Sequence, residues 1–547
     1  MPTLICVPLF VEDVDSALDD AAEAKRLGAD LVEWRIDLIF SGADDAPGEG
    51  SDAFETAQVA RLVAESPLPC IVTCRPTWEG GEYDGDDMPR IALYERLGTS
   101  DTPPRYIDVE LAAYTRSRNL RHKVNLAVEH PAQLRDVHTS LVLSSHDFNG
   151  RPSDLSRRLI AMRDEPAASV LKIAYGARSL RDNLELFELL AQRDRPMIAL
   201  GMGEFGLMSR VLAPKFGAFL TFATLREAEV TAPGQPTIRD LLERYRFRSI
   251  RPSTRVYGVI GWPVAHSQGP TIHNAGFEQV EHDGVYLPLP VGVGEDGEEG
   301  AYESFKGTAL ALIDDPRLGF AGASVTLPHK EHLARLAMER GWALDDATRA
   351  TGAANTIVVD ERSATPRVMN TDAAAVGACL TAHLGAMSGK RILVLGAGGV
   401  ARAAAHACLS LDARITICAR TTSRAEELAA QLAHSPGPIV VRPWDERSRI
   451  QCDALINCTP VGMTGGPAPD EPPVDLAPLV SESPHVLVFD TVYTPLETPL
   501  IAAARDLGLG TIDGGEMFVS QAAAQFEAWT RTPAPVKLFD QLVRNNP

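Results

Sequence analysis

The chain has 547 residues, 45% of them hydrophobic and 23% charged, and a formal net charge of −21 from 52 basic against 73 acidic side chains. That length exceeds both an ordinary domain of roughly 150 residues and a barrel of about 250, so two or three globular domains are expected. The balance excludes a disordered or membrane-embedded chain, and its negative field disfavours nucleic acid and anionic membrane as partners. The 8 cysteines stand in apolar runs without metal-type pair spacing, which reads as buried reduced thiols, with no disulfide and no zinc. Met1-Pro2-Thr3-Leu4-Ile5-Cys6 runs straight into an apolar strand without a signal or transit pattern, so a cytoplasmic protein is expected.

In chain order, residues 1–248 read as eight rounds of strand and helix. The strand-like runs are 4–9, 31–38, 70–74, 106–109, 140–145, 170–174, 197–200 and 219–224. Amphipathic helical patterns at 14–27, 53–64, 155–163 and 183–192 fill gaps between them. Eight such rounds over about 245 residues predict a (β/α)8 barrel rather than an open doubly wound sheet. A short basic segment, 246–253, precedes a fresh strand at 256–260, and a domain boundary is placed near residue 250. A second α/β unit follows, with a dinucleotide-type strand and helix from Arg391. The acidic, glycine-rich stretches 41–52 and 291–300 and the Pro/Gly stretch 465–473 read as surface loops.

Polar residues gather at the C-terminal ends of the barrel strands, where barrel enzymes keep their active sites. They are Glu33, Arg35, Arg75, His146, Lys172 and Arg210. The first half has only Lys25, Lys123, Lys172 and Lys215, and Lys172 alone lies inside an apolar run, Ser169-Val170-Leu171-Lys172-Ile173-Ala174. A buried lysine is either a structural ion pair or a catalytic amine able to form an imine with a ketone. His146 suits a general acid and base, or a satisfied core position. Three arginines at one rim suit a carboxylate. From chemistry alone this is an imine-forming lyase acting on a small keto acid.

Six segments then carry a resemblance over almost all of residues 1–250. They are Glu33-Trp34-Arg35-Ile36-Asp37, Thr73-Cys74-Arg75 with Glu79-Gly80-Gly81, Ser145-His146-Asp147-Phe148, Leu171-Lys172-Ile173-Ala174, Met202-Gly203 through Ser209-Arg210, and Ala232-Pro233-Gly234-Gln235. The region resembles the type I 3-dehydroquinate dehydratases. That resemblance implies that Lys172 forms a Schiff base, and that His146 removes the α-proton and assists departure of the hydroxyl. It also implies that Glu79 supports His146, and that Glu33, Arg35, Arg75, Arg210 and Gln235 hold the substrate. Thr231 stands where many members have serine and keeps the hydroxyl.

In the second half, Arg391-Ile392-Leu393-Val394-Leu395 leads into Gly396-Ala397-Gly398-Gly399-Val400-Ala401, a buried strand, a glycine turn and a helix start. Such a turn lets backbone approach a pyrophosphate at a helix N-terminus. The next strand ends in Ala419-Arg420-Thr421-Thr422-Ser423-Arg424, where an NAD enzyme carries an acidic residue, so Arg420 and Arg424 point to NADP. Val325-Thr326-Leu327-Pro328-His329-Lys330 ends a strand, and Asn355-Thr356 and Asn370-Thr371-Asp372 are read as the ends of two others. A lysine, an aspartate and amides in one cleft suit a polyhydroxylated ketone that takes a proton from Lys330.

These segments resemble shikimate dehydrogenases across 255–545. The resemblance implies that Lys330 and Asp372 are the catalytic pair and that Ser267, Thr326, Asn355, Tyr493 and Gln521 hold the substrate. Gly396, Gly398, Gly399, Val400, Ala401, Arg420, Thr421 and Arg424 would hold NADP, and Thr459 and Met463, in Asn457-Cys458-Thr459-Pro460-Val461-Gly462-Met463, would flank the nicotinamide. It implies a substrate lobe of 251–373 with 516–547 and a Rossmann lobe of 374–515. Two departures are Gly269, where the substrate loop usually has a second serine, and Phe518 in place of a common leucine. Gly269 keeps a quinate-type dehydrogenase open as an alternative; a catalytically dead metabolite sensor is the other, against which Lys172, His146, Lys330 and Asp372 all stand. The implied substrates are 3-dehydroquinate, 3-dehydroshikimate and shikimate, the first reaction's product being the second's substrate.

Overall fold

The structure, a computed structural model, describes residues 2–40, 52–131, 137–226, 234–293, 297–360, 363, 365–433 and 437–545. It divides into two compact units, Met1–Thr254 and Arg255–Pro547.

The first unit is an eight-stranded parallel barrel. Its strands are β1 (Leu4–Phe10), β2 (Leu31–Arg35), β3 (Cys70–Thr73), β4 (Tyr106–Glu110), β5 (Ser140–Asp147), β6 (Ala168–Gly176), β7 (Met197–Met202) and β8 (Leu220–Phe222). Neighbours run in the order β7-β6-β5-β4-β3-β2-β1-β8. At the seam between β7 and β8, Phe219 N donates to Met197 O at 2.8 Å. The intervening helices bury stripes of small or apolar residues; in Val14–Leu27 these are Val14, Ala17, Ala21 and Ala24, one helical face, and Asp13 caps the Ser16 N–H.

The period of two along each strand sorts the interior into layers. Cys6, Leu31, Ile71, Val142, Val170, Ile198 and Leu220 pack as one apolar cluster. Two residues further along the same faces stand Glu33, Thr73, Ser144 and Lys172. A greasy floor thus supports a polar layer, and the side chains that fold the barrel and those that occupy its mouth alternate along the same strands.

The second unit has two sheets. The first holds β9 (Arg255–Gly261), β10 (Gly284–Pro290), β11 (Phe320–Val325), β12 (Ala343–Leu344), β13 (Thr356–Val358) and β14 (Arg367–Met369), in the order β10-β9-β11-β13-β14-β12. Here β13 is antiparallel to both its neighbours. Asn355 and Thr356 therefore begin a strand instead of ending one, as the sequence reading had it. The reversal itself brings them beside the C-terminal end of β11, where Val325 N donates to Asn355 O at 2.7 Å. The second sheet holds β15 (Arg391–Leu395), β16 (Arg414–Cys418), β17 (Ile439–Arg442), β18 (Ala454–Asn457), β19 (Leu487–Asp490) and β20 (Thr511–Ile512). All are parallel, in the order β17-β16-β15-β18-β19-β20, which is the doubly wound dinucleotide-binding arrangement.

The chain then returns. Helices Gly514–Thr530 and Val536–Asn545 bury Val519, Ala522, Phe526, Trp529, Phe539 and Val543 against Tyr257, Ile272, Phe277 and Tyr286 of the first sheet's layer. Trp529 fastens this packing by donating from Nε1 to Ile357 O at 2.9 Å. The acidic stretch 291–300, read as loop, enters a helix at Gly297–Asp314, where Glu298 and Glu299 stand in a first turn that favours negative charge. Residues 41–51 of the other acidic stretch lie outside the described residues.

Phe526 is fully buried and its ring meets Phe277, His273 and Phe539. Phe526→Ala is expected to destabilise the second unit by ~3–5 kcal/mol. Denaturant titration followed by each half's own activity checks this: the midpoint for loss of the second activity falls and that of the first does not move.

Candidate active sites

One cavity at the mouth of the barrel is lined by Glu33, Arg35, Arg75, Glu79, His146, Lys172, Arg210 and Gln235, together with Pro8, Phe148, Met202 and Phe222. All the sequence-derived barrel residues meet there except Thr231, which lies outside the described residues. A second depression, among Val63, Pro69, Pro104 and His138 near the strands' N-terminal ends, contains none of them.

Lys172 is 5% exposed, and its Nζ donates to Asp108 Oδ2 at 3.0 Å, stands 3.5 Å from Glu33 Oε1 and lies 4.7 Å above the Phe222 ring. Asp108 and its neighbour Glu110 are the residues that sequence reading missed. Both are buried in β4, and both are bound by Arg75, from Nη2 to Asp108 at 2.8 Å and from Nη1 to Glu110 at 2.7 Å. Glu110 also receives the fully buried Arg90 at 2.7 Å, and Ser144 Oγ donates to Asp108 at 2.6 Å. Burial alone would raise the Asp108 carboxyl, but Arg75 and Lys172 hold it below the usual carboxylate range. The signal was in the sequence: Tyr106-Ile107-Asp108-Val109-Glu110 puts two carboxylates in an apolar strand, as unusual as a lysine in one.

His146 and Glu79 behave differently. Glu79 Oε2 is 2.9 Å from His146 Nδ1 and accepts the His146 N–H at 3.2 Å. By distance this is a salt bridge, yet burial pushes the Glu79 carboxyl up to about 8 despite Arg75. Burial, with Arg75 and Lys172 adding to it, pushes His146 well below its ordinary 6.5. Both shifts favour neutral partners, so we describe the contact as a hydrogen bond between a carboxylic acid and an imidazole. It engages Nδ1 and leaves Nε2 as the nitrogen for the cavity.

The arginines also separate. Arg35 is bidentate to Asp37, at 3.0 and 2.7 Å, and stacks over Phe10, while Arg75 is consumed by carboxylates. Arg210 is 2% exposed and makes no ion pair among the described residues; its Nε has no partner, and burial lowers it to about 10. An unpaired buried guanidinium in a cavity is a site for an anion.

In the second unit Lys330 Nζ donates to Asp372 Oδ2 at 2.7 Å. Lys330 opens the helix Lys330–Arg340 after β11, and Asp372 lies in the first turn of Thr371–Leu384 after β14. Asn355 Nδ2 reaches Gln521 Oε1 at 3.4 Å, while Asn355 Oδ1 accepts from Thr371 N at 2.9 Å, tying the strand start to the Asp372 helix. Thr326 follows β11 and its N–H donates to Ile260 O at 2.9 Å. Tyr493 is held by Phe518, the rings stacked at 4.7 Å and 15°, so the departure from leucine supplies a flat support. At the other departure, a Cβ on Gly269 would lie 2.9 Å from Tyr286 Cε1 and 3.1 Å from its hydroxyl, with Ser267 Oγ at 3.2 Å. Tyr286 fills the space of the second serine, and its hydroxyl donates to Ser324 at 2.7 Å.

The glycine turn fits a dinucleotide. Gly396 has φ 109°, where a side chain is strained, and open space surrounds the Cβ position of Gly398. The helix Gly399–Ser410 begins at Gly398 without a side-chain cap, leaving its first N–H groups for a pyrophosphate. Val400 and Ala401 form its first turn. A Cβ on Gly399 would stand 3.4 Å from Lys330 Cδ, so the turn adjoins the Lys330–Asp372 pair. Arg420, Thr421 and Arg424 are exposed after β16, the strand end at which dinucleotide folds meet the ribose of the cofactor. Thr459 is fixed by Asn457 Oδ1 at 2.7 Å, and Met463 N donates to Pro460 O at 3.3 Å, shaping the turn after β18.

A barrel with a buried lysine, and a two-lobed dinucleotide unit with a lysine–aspartate pair, define a lyase-type and an oxidoreductase-type enzyme on one chain. Family models match accordingly: type I 3-dehydroquinase over 5–252, shikimate dehydrogenase substrate binding domain over 259–357, and shikimate/quinate 5-dehydrogenase over 379–459. The chain is 34% identical over 99% of its length to a bifunctional 3-dehydroquinate dehydratase/shikimate dehydrogenase, chloroplastic, from Arabidopsis thaliana, covering 84% of that protein. It is 41% identical to a shikimate dehydrogenase (NADP(+)) from Rhodospirillum rubrum, over 50% of this chain and 91% of that one. A solved dehydroquinate dehydratase and shikimate dehydrogenase from S. pombe aligns over 100% of this chain and 98% of its own at 25% identity, with a TM-score of 0.42. The chain belongs to the family of bifunctional 3-dehydroquinate dehydratase/shikimate dehydrogenases.

The neutral Glu79–His146 pair has a stability signature. Between about pH 4.5 and 6.5 the pair binds one proton in either state, on Glu79 when folded and on His146 when unfolded, so stability is level. From 6.5 to about 8 the folded pair keeps a proton that the unfolded chain has lost, and stability falls as pH rises. The expected fall is ~1–2 kcal/mol. Urea titrations of wild type and Glu79→Gln across that window test this, the variant losing the fall.

Proposed function

We propose that each reaction is carried by its lysine. The barrel dehydrates 3-dehydroquinate to 3-dehydroshikimate, and the second unit reduces 3-dehydroshikimate to shikimate with NADPH, for aromatic amino acid biosynthesis. The observation that carries this reading is Lys172, buried in a cavity with the neutral His146 and the unpaired Arg210. We assign residues 1–248 to the dehydratase, 251–373 with 516–547 to shikimate binding, and 374–515 to NADP.

In the barrel, the substrate carboxylate pairs with Arg210. Lys172 gives one ammonium proton to neutral His146 and attacks the ketone as an amine. His146 passes that proton to the ketone oxygen, which leaves as water with a second proton from the nitrogen, and the resulting iminium draws electrons from the adjacent carbon. His146 Nε2 takes the α-proton and returns it to the departing β-hydroxyl, which leaves as water; hydrolysis of the imine frees Lys172. Arg35, Arg75 and Glu33 shape the cavity, with Gln235 and Thr231 completing the substrate contacts. In the second unit the nicotinamide supplies hydride when bound. Lys330 gives its proton to the ketone oxygen, and Asp372 holds the lysine and the substrate hydroxyl. Ser267, Thr326, Asn355, Tyr493 and Gln521 orient the ring, Gly396, Gly398 and Gly399 receive the pyrophosphate, and Arg420 with Arg424 pairs with the 2′-phosphate.

Among the described residues no helix is long and apolar enough to cross a membrane, and all eight cysteines are free. Free thiols support a reducing compartment, and we place the protein in the cytoplasm, with small molecules and neither nucleic acid nor membrane as its partners.

Borohydride reduction of the intact chain with 3-dehydroquinate is expected to leave a ligand adduct on Lys172, read by mass spectrometry and missing in Lys172→Ala; a folded wild type without adduct would sink the imine mechanism. Arg420→Ala is expected to raise KM for NADPH about tenfold or more, the loss of a charge-assisted pair of ~1.5–3 kcal/mol, with kcat within about twofold. Unchanged KM for NADPH would remove Arg420 from the cofactor site.

A further inference from the structure

Beside Lys330 stands a chain of groups that the chemistry above does not use. His329, fully buried, places Nε2 2.8 Å from Val291 O and Nδ1 2.9 Å from His332 Nδ1. His332, also buried, places Nε2 2.7 Å from Glu298 Oε1. Phe305 stacks on His329 at 5.0 Å and Tyr302 meets His332 edge-on at 5.6 Å, so each ring is packed against an aromatic neighbour.

The proton count follows from the contacts. A carbonyl only accepts, so His329 donates from Nε2 to Val291 O. Burial lowers His329 from its ordinary value, which favours the neutral ring with Nδ1 as acceptor. His332 must then donate from Nδ1, and a carboxylate at 2.7 Å requires a second donation from Nε2. All three hydrogen bonds exist together only with one proton more than two neutral imidazoles and a carboxylate carry. Without that proton the chain opens at Glu298, or at the His329–His332 contact, where two lone pairs would face each other. Other charges around His332 are engaged elsewhere: Glu299 with Arg335, Lys306 with Glu303 and Glu339, and Glu331 with Arg402.

The chain joins the end of β10, through Val291, to the start of the helix Gly297–Asp314, through Glu298. It crosses His329, the residue immediately before Lys330, and the His329 N–H donates to Thr326 O at 2.9 Å. We propose that His329, His332 and Glu298 form a proton-loaded brace that positions Lys330, so that the reductase half senses pH through residues that touch no reactant. The brace is complete at low pH and opens as pH rises. It rests on the reading that Lys330 is the proton donor.

Glu298→Gln separates this role from a merely structural one. Its amide can offer an N–H to His332 Nε2, which completes the chain with a neutral His332 at any pH. The ratio of its reductase kcat to that of wild type, measured on the full chain, is expected to rise from about one near pH 6 to about fivefold near pH 9, the factor set by an exposed ion pair. Glu298→Ala, with no link at any pH, is expected to stay at the lower level throughout, while an unchanged KM for NADPH in both variants reports a folded second unit. Nitrogen-15 spectra of labelled histidines are expected to show both ring nitrogens of wild-type His332 protonated near neutral pH. A singly protonated His332, or a Glu298→Gln ratio constant with pH, overturns the brace. Full reductase activity in Lys330→Ala would instead overturn the reading on which it rests, and the spectra tell the two failures apart.

Discussion

The barrel is organised around one buried ion network. Lys172, Arg75 and Arg90 face Asp108, Glu110 and Glu33 around the barrel's polar layer, each cation within 3.0 Å of a carboxylate oxygen. Unpaired, any one of these charges would cost several kcal/mol, so the layer is stable only as a set. The set also decides what its neighbours can be. With cations and anions already matched, Glu79 and His146 gain little by ionising, and burial leaves them as a neutral acid and base. Arg210, outside the network, is the charge left over, and a cavity with one surplus guanidinium attracts a substrate anion despite a chain charge of −21.

How much of this was legible depended on whether a residue's meaning was local. Lys172 announced itself because a lysine inside Val170-Leu171-Lys172-Ile173-Ala174 contradicts its surroundings. Asp108 and Glu110 contradict theirs equally, but their significance depends on Arg75 and Lys172, 33 and 64 residues away from Asp108. The three rim arginines looked alike for the same reason. Only their partners separate a positioning Arg35, a network Arg75 and an open Arg210, and partners are not written in a local window.

In the second unit the glycine turn was legible, as its strand, glycines and helix are contiguous. The reversed direction of β13 was not, since a strand's polarity is set by what it pairs with. Likewise the acidic stretch that opens the helix Gly297–Asp314 has loop composition, and its helical fate follows from Glu298 and Glu299 meeting a helix N-terminus. The substitution at Gly269 reads in sequence as a lost hydroxyl; the structure shows Tyr286 occupying that volume, so the loss is one of Cβ more than of polarity.

The two lysines show how surroundings divide one side chain between two tasks. Lys172 lies within an inward-facing layer, bounded by Phe222 and two carboxylates, and lines the cavity at the barrel mouth. A ketone that reaches Nζ there meets an amine whose position is set by strand geometry, and a covalent bond needs that fixity. Lys330 sits instead on the first turn of a helix, with one carboxylate partner, its side chain 14% exposed, and the glycine turn adjoining its stem. A proton donor must reach the ketone oxygen and then recover its proton, so it benefits from a single partner and an open side. A hold on such a residue can come from behind it, along the backbone at His329, where buried His329 and His332 lead out to the exposed Glu298.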